Sequence, residues 1–188
     1  MEHTVSLHTF AIYVEDLPGV LNRVASLFRR RGFNIHSLTV GPSEIAGVSR
    51  MTAVVETDQA GARRVAAHLY KVVNVIRVED ITTRPTIGRE LALIKVAANQ
   101  ENRSCLVQLA QIFTARIVDV APESLVMEMC GSEARIDGLL GVLQPYGVIE
   151  MVRTGRIAME RGADASAAEA PLPAGVPLVV DENISYSV

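Results

Sequence analysis

The stretch Val14-Glu15-Asp16-Leu17-Pro18-Gly19-Val20-Leu21 is the point at which a strand pattern changes into a helix pattern. Before it, residues 7–14 carry Phe10, Ile12 and Val14 on one face, as a half-buried strand does. After it, apolar residues recur at the spacing of an amphipathic helix, at Val20, Leu21, Val24, Leu27 and Phe28. The sequence therefore predicts a strand–loop–helix junction here.

This junction has two interpretations. A glycine at position 19 lets the backbone approach a ligand closely, and free N–H groups at a helix start hold a carboxylate. Asp16 supplies a carboxylate for an ammonium group, and Leu17 and Ile35 supply apolar walls, so the set complements a zwitterionic amino acid. The alternative is a plain helix start with Asp16 as the cap and Pro18 in the first turn. The junction alone leaves both open.

Outward from the junction, the first half continues as alternating elements. Strands are predicted at 34–40, 49–56 and 75–82, and a second helix at 58–71. Residues 41–47, which are polar and contain Gly and Pro, predict a hairpin connection. The order βαββαβ is the ferredoxin-like arrangement.

The second half repeats this order after a predicted linker at 84–90. Strands are expected at 91–98, 116–121, 124–130 and 147–159, and helices at 103–114 and 132–143. The fold class is α+β, with two ferredoxin-like βαββαβ domains at 1–84 and 85–161. Residues 162–188 are rich in Ala and Pro and are predicted to be a flexible tail.

Two strands of the first half carry apolar residues on both faces, although helices cover only one face of such a sheet. Residues 51–55 read Met-Thr-Ala-Val-Val, and Ala11 and Tyr13 lie between the core residues of the first strand. The second apolar face packs either against the other half of the chain or against a second copy. The sequence favours an oligomer, because an exposed apolar face is a liability.

Composition excludes several classes of protein. The net charge is −3, which argues against a nucleic-acid-binding domain, and no apolar run reaches the length of a membrane span. The start of the chain lacks a signal-peptide pattern, and the two cysteines form no disulfide framework, so a cytoplasmic protein is expected. Cys105, near a helix start, and Cys130, at the end of an apolar strand, are both predicted to pack.

No catalytic or metal-binding motif is found in the sequence. It has no phosphate-binding glycine loop, no nucleophile elbow and no histidine pair at metal-ligand spacing. The basic run at 29–31 suggests a phosphate site, but a solvated helix C-terminus explains it as well. Catalytic residues and metal ligands are therefore predicted to be absent.

The wider pattern resembles a known family. Asp16 to Leu21, a helix, and then Gly32-Phe33-Asn34-Ile35 are similar to the ACT domain, a small-molecule sensing module. The segments at 31–40, 49–52, 89–96 and 154–162 resemble the small regulatory subunits of acetolactate synthase. The resemblance covers residues 5–162.

The resemblance implies an effector site between two chains. In the family, ACT domains dimerise side by side, and a branched-chain amino acid, usually valine, binds at their interface. Carried over, the effector-binding residues of one chain face Asn34 and Ile35 of the other, and they are Asp16, Leu17, Gly19, Val20 and Leu21. Many members carry Asn where this chain has Asp16, so affinity and effector identity stay open.

The resemblance also implies a partner. The second domain would help to engage a large catalytic subunit that holds thiamine diphosphate, a divalent metal and FAD and makes acetolactate or acetohydroxybutyrate. The small subunit would be non-catalytic, bind no cofactor itself, raise the activity of the complex and confer feedback inhibition in branched-chain amino acid biosynthesis. A free-standing amino-acid-binding protein and, less favoured, a small enzyme are the other hypotheses.

Overall fold

The computed structural model describes residues 5–162. The strands are β1 (Ser6–Glu15), β2 (Ile35–Pro42), β3 (Val48–Thr57), β4 (Val75–Asp80), β5 (Thr86–Ala97), β6 (Arg116–Ala121), β7 (Ser124–Gly131), β8 (Val148–Arg153) and β9 (Ile157–Glu160). The helices are α1 (Val20–Arg30), α2 (Gln59–Leu69), α3 (Arg103–Phe113) and α4 (Glu133–Leu143), with one 3-10 turn at Gln144–Tyr146. The predicted tail lies outside the described residues.

The described chain divides into two units, residues 5–86 with 160–162, and residues 87–159. Glu160 lies in the first unit, and its carboxylate pairs with Arg84 at 2.5 Å. The backbone N–H of Arg161 also donates to the carbonyl of Pro85 at 2.8 Å. None of the helices between residues 5 and 162 combines the length and hydrophobicity that a bilayer crossing requires.

Each unit is an antiparallel sheet with two helices, so the predicted pair of ferredoxin-like βαββαβ arrangements is confirmed. The first sheet has the order β2-β3-β1-β4, and the second has the order β6-β7-β5-β8 with β9 paired to β5. In the first unit, one face of the sheet packs against α1 and α2, with the fully buried Phe10 and Phe28 among the largest core side chains. The second unit has its own aliphatic core around Ile94, Leu106 and Met127.

Two strands of the first sheet, β1 and β3, carry buried residues on the helix-free face. Thr9 lies opposite Val54, and Ala11 lies opposite Thr52. All four are buried, with Ala11 at 0% exposure.

Three predictions of local structure are wrong. Residues 86–90 are part of β5 rather than a linker, because β9 supplies a pairing partner that the local pattern does not show. The predicted strand at 147–159 is two strands, interrupted around Gly155, whose φ is +82°. Cys130 is exposed rather than buried, because the alternate residues Met127 and Met129 face the core of the second unit.

Candidate functional site

The loop between β1 and α1 is tied to the hairpin between β2 and β3. The backbone N–H of Asp16 donates to the carbonyl of Gly47 at 2.8 Å, and the N–H of Leu17 donates to Glu15 at 3.0 Å. Gly47 has a φ of +73° in that hairpin. The loop therefore has a defined backbone path that leads from the sheet into the helix.

Helix α1 begins without a side-chain cap. Its N-cap is Gly19, in the left-handed region at φ +84° and ψ −4°, and no side chain bonds to the first turn. The interpretation of Asp16 as the cap is therefore wrong. Within residues 5–162, the N–H groups of Leu21 and Asn22 have no hydrogen-bond partner. Two free N–H groups at the positive end of a helix dipole favour an anion such as a carboxylate.

The side chains around this helix start divide into two groups. Asp16 is exposed, and the apolar Leu17 and Leu21 are 54% and 46% exposed. Val20 is only 3% exposed and packs into the core, so only its backbone is available to a ligand. Gly19 has no atom within 4 Å of the position that a Cβ would take, which leaves open space above it. The predicted loop residues therefore surround an open, partly apolar surface.

Asn74 holds both ends of this loop, and sequence reasoning missed it. Its carbonyl accepts from the backbone N–H of Glu15 at 2.9 Å. Its side-chain Nδ2 donates to Glu15 Oε2 at 2.6 Å, while its Oδ1 accepts from Arg23 Nη1. Asn74 is 7% exposed, and a satisfied buried polar network of this kind fixes geometry. No local signal marks Asn74, because its partners lie about fifty or more positions away.

The structure does not bring Asn34 and Ile35 to the loop of the same chain. Ile35 pairs with Val55, and Val55 pairs with His8 near the start of β1. The loop follows Glu15, seven residues further along β1, which is about 24 Å at about 3.4 Å per residue. Asn34 is exposed and Ile35 is half-buried. One chain therefore carries the two parts of the predicted site at opposite ends of its sheet.

The fold also assembles a Ser–His–Asp contact that the sequence pattern does not show. Ser6 Oγ lies 3.3 Å from His8 Nε2, and Asp80 Oδ2 lies 3.3 Å from His8 Nδ1. His8 is 3% exposed, and Thr82 Oγ1 bonds both to Asp80 and to the backbone N–H of Thr9 at 2.9 Å. These contacts join the end of β4 to β1, which is a structural role. No group of three potential metal ligands occurs in the described part of the chain.

Comparison with known proteins gives matches across both units. The family model "Small subunit of acetolactate synthase" matches residues 89–162, and "AHAS small subunit-like ACT domain" matches residues 10–77. A relative from Archaeoglobus fulgidus named "Probable acetolactate synthase small subunit" is 48% identical over 82% of this chain and 97% of the relative. The acetolactate synthase small subunit of Mycobacterium leprae is 46% identical, over 82% of this chain and 92% of the relative.

One solved structure is similar over most of the chain. The crystal structure of the acetolactate synthase small subunit from Thermotoga maritima superposes with a TM-score of 0.79 at 37% identity. The superposition covers 84% of this chain and 99% of that one.

Proposed function

The chain belongs to the acetolactate synthase small-subunit family, and on that premise we propose that it is the regulatory, non-catalytic subunit of the enzyme. It activates a large catalytic subunit and confers feedback inhibition by a branched-chain amino acid, with valine as the first candidate. The observation that carries this proposal is the uncapped start of α1, whose free N–H groups lie beside the exposed Leu17 and Leu21.

The chemistry of this junction fits a free amino acid. The effector carboxylate binds the N–H groups of Leu21 and Asn22, where the helix dipole favours negative charge. The aliphatic side chain packs against Leu17 and Leu21, and Asp16 offers a carboxylate to the ammonium group. Because one methylene in an apolar pocket changes affinity by only about 1–3 kcal/mol, valine, leucine and isoleucine are the expected class.

Asn34 and Ile35 complete the site from a second chain. Strand β2 is the edge of the first sheet, and an eight-residue edge is a template for pairing with another strand. Its last residue, Pro42, pairs with Ser49, which pairs with Val14, so this end of β2 lies at the same end of the sheet as the loop. Antiparallel pairing of two β2 strands about a two-fold axis would bring the partner's Asn34 to this loop.

Regulation then follows from the effector's position between two chains. A ligand that contacts both protomers stabilises one dimer arrangement over another, and a coupling of about 1–3 kcal/mol is typical of such linkage. In this proposal, the second unit helps to engage the catalytic subunit. Thiamine diphosphate, the divalent metal and FAD are bound by that subunit and not by this chain.

A mixed dimer tests the two-chain site. We expect Asp16→Ala and Asn34→Ala each to weaken valine binding in calorimetry as homodimers. In a dimer of one Asp16→Ala chain and one Asn34→Ala chain, both changes fall in one site and the other site is intact. Half of the sites should therefore bind with wild-type affinity. If every site of the mixed dimer is impaired, each site lies within one chain and the proposal fails.

Reconstitution with the large subunit of the same organism tests the regulatory role. Added chain should raise acetolactate synthesis, and valine should lower it again. A chain that binds valine but neither activates nor inhibits would instead be a free-standing amino-acid-binding protein, and then no thiamine-dependent enzyme should co-purify from native extract. Acetolactate synthesis by the chain alone would favour the small-enzyme hypothesis.

A further inference from the structure

A groove of about 520 Å³ lies between α1 and α2, within the first unit and away from the β1–α1 loop. Leu27 and Val72 supply its apolar part. The remaining lining residues are Arg30, Arg31, His68 and Lys71. None of the groove-lining residues in the described chain is acidic, so three permanent positive charges and one imidazole share a small volume.

The positive groups of the groove form no ion pair in the part of the chain that the structure describes. Within residues 5–162, neither the guanidinium of Arg31 nor the ammonium of Lys71 forms an ion pair, and Arg30 Nε reaches only the carbonyl of Ser26 at 3.3 Å. The Nδ1 atom of His68 is buried and has no hydrogen-bond partner in that range. Desolvation, followed by the charges of Arg31 and Lys71, lowers the pKa of His68. The groove is therefore a site of uncompensated positive potential.

Helix capping does not account for this cluster. Basic side chains at a helix C-terminus often bind its last carbonyl groups. Here the N–H groups of Arg31, Gly32 and Phe33 already bond to carbonyls of the last turn of α1, at 3.1–3.2 Å. At the end of α2, the N–H groups of residues 70–72 do the same at 3.0–3.2 Å. Within the described residues, the side chains of Arg31 and Lys71 bind no helix carbonyl and are available to another ligand.

We propose that the groove between α1 and α2 binds a phosphate-bearing small molecule. The guanidinium of Arg31 is suited to paired hydrogen bonds with phosphate oxygens, and Lys71 adds a compact positive charge. Leu27 and Val72 contact the non-phosphate part of the ligand. This site is separate from the amino-acid site at Gly19 and does not depend on it.

The test is calorimetric titration of the intact chain with inorganic pyrophosphate and with ADP, so that the phosphate and the organic part are assessed separately. The double variant Arg31→Gln/Lys71→Gln should lower pyrophosphate affinity about tenfold or more, because each change removes a charged hydrogen bond. The matched control is Arg29→Gln/Arg63→Gln, which removes the same charge from exposed positions on the same two helices outside the groove. Its affinity should stay near that of the wild type.

A local readout distinguishes this groove from general charge attraction. Bound pyrophosphate adds negative charge beside His68, so its pKa, followed by NMR and assigned with His68→Gln, should rise on binding. Several results would overturn the proposal: no binding at millimolar pyrophosphate, equal loss in both double variants, an unchanged His68 pKa, or equally tight binding of hexaglutamate. Because valine binding is measured separately, failure of the amino-acid site would not be mistaken for failure of this one.

Discussion

The two units share one architecture, and neither starts its first helix with a side-chain cap, but the turn that leads into the helix differs between them. In the first unit, α1 begins at Gly19 with no side-chain cap and with two free N–H groups. In the second unit, Asn99 Oδ1 accepts from the N–H groups of Glu101 and Asn102 at 3.0 and 2.9 Å, just before α3. Asn102 Oδ1 in turn accepts from the N–H of Asn99 at 2.8 Å.

This difference concerns the few residues that lead from the first strand of each unit into its first helix. In the second unit, short polar side chains accept hydrogen bonds from backbone N–H groups in the turn that precedes the helix. In the first unit, Gly19 adopts a left-handed conformation and turns the chain into α1 without a side-chain hydrogen bond to the backbone N–H groups there. Under the proposed function, the same βαββαβ frame carries one junction that binds the effector and one whose preceding turn is held by its own side chains.

The largest expected effect tests whether the two units unfold independently of each other. Ile12 and Ile94 are both fully buried, one in each core. Each change to Ala should destabilise its own unit by about 2–5 kcal/mol, because it leaves a cavity. Hydrogen exchange followed by mass spectrometry should show faster exchange in residues 87–159 for Ile94→Ala and in residues 5–86 for Ile12→Ala. Equal acceleration in both units would mean that they unfold as one.

The next effect concerns the open junction. Gly19→Ala places a Cβ on a residue at φ +84°, which should cost about 1–2 kcal/mol through backbone strain, since no atom clashes with it. Valine affinity should fall with it, as measured by calorimetry. Gly141→Ala is the matched control, because it lies inside α4 with open space around it and should stabilise by about 0.5–1 kcal/mol. If both substitutions changed the free energy of unfolding in the same direction, backbone strain at Gly19 would not be the cause.

A smaller effect separates the two helix starts directly. Asn99→Ala should lower the free energy of unfolding by about 1 kcal/mol, because two N–H groups lose their acceptor, and it should leave valine binding unchanged. Asp16→Ala should do the reverse, with little change in stability and weaker valine binding. Urea titration and calorimetry of both variants give the comparison. A stability loss in Asp16→Ala equal to that in Asn99→Ala would show that Asp16 is a cap after all.

The smallest effect is a pH dependence in the second unit. Burial, and then the charge of Glu133, raises the pKa of Glu90 above its usual range, against the opposing charge of Arg153. The folded state thus holds this proton more tightly than the unfolded state. The contribution of Glu90 is fully present below the unfolded pKa and is lost as pH rises through the folded pKa.

Glu90→Gln should therefore gain stability relative to the wild type as pH rises from about 4 to 7, by less than about 1 kcal/mol. Urea titrations at several pH values measure it, with Glu150→Gln at an exposed position of β8 as the control for the loss of one negative charge. A gain that instead grew as pH fell would contradict the assigned direction.

Local pattern predicted much of the first unit. Val20, Val24, Leu27 and Phe28 are all buried, as the helical spacing predicts. Leu21, placed on the same apolar face by that spacing, is 46% exposed, because it lies at the edge of the buried stripe in the first turn. The element order could thus be predicted from the sequence, whereas the junction alone left two interpretations.

Contacts between residues far apart in the sequence could not be predicted from the local pattern. The pairing of β9 with β5 joins segments about seventy residues apart, and the bonds from Asn74 to Glu15 and Arg23 span more than fifty positions. The groove also depends on long-range contacts, since Arg31 follows α1 and Lys71 follows α2. Periodicity reports which face of an element is buried, and it carries no information about which distant side chain meets it.

The separation of Asn34 from Gly19 along one sheet has a consequence for how such a sensor responds in the cell. Under the proposed function, a lone chain carries two unmatched halves of a site, so its affinity for the amino acid depends on its own concentration. Valine would promote association, and dilution would make the chain insensitive to valine. Valine dose–response curves measured at two concentrations of the chain would then differ. The degree of inhibition would depend on the amount of regulatory chain in the cell as well as on the amount of amino acid.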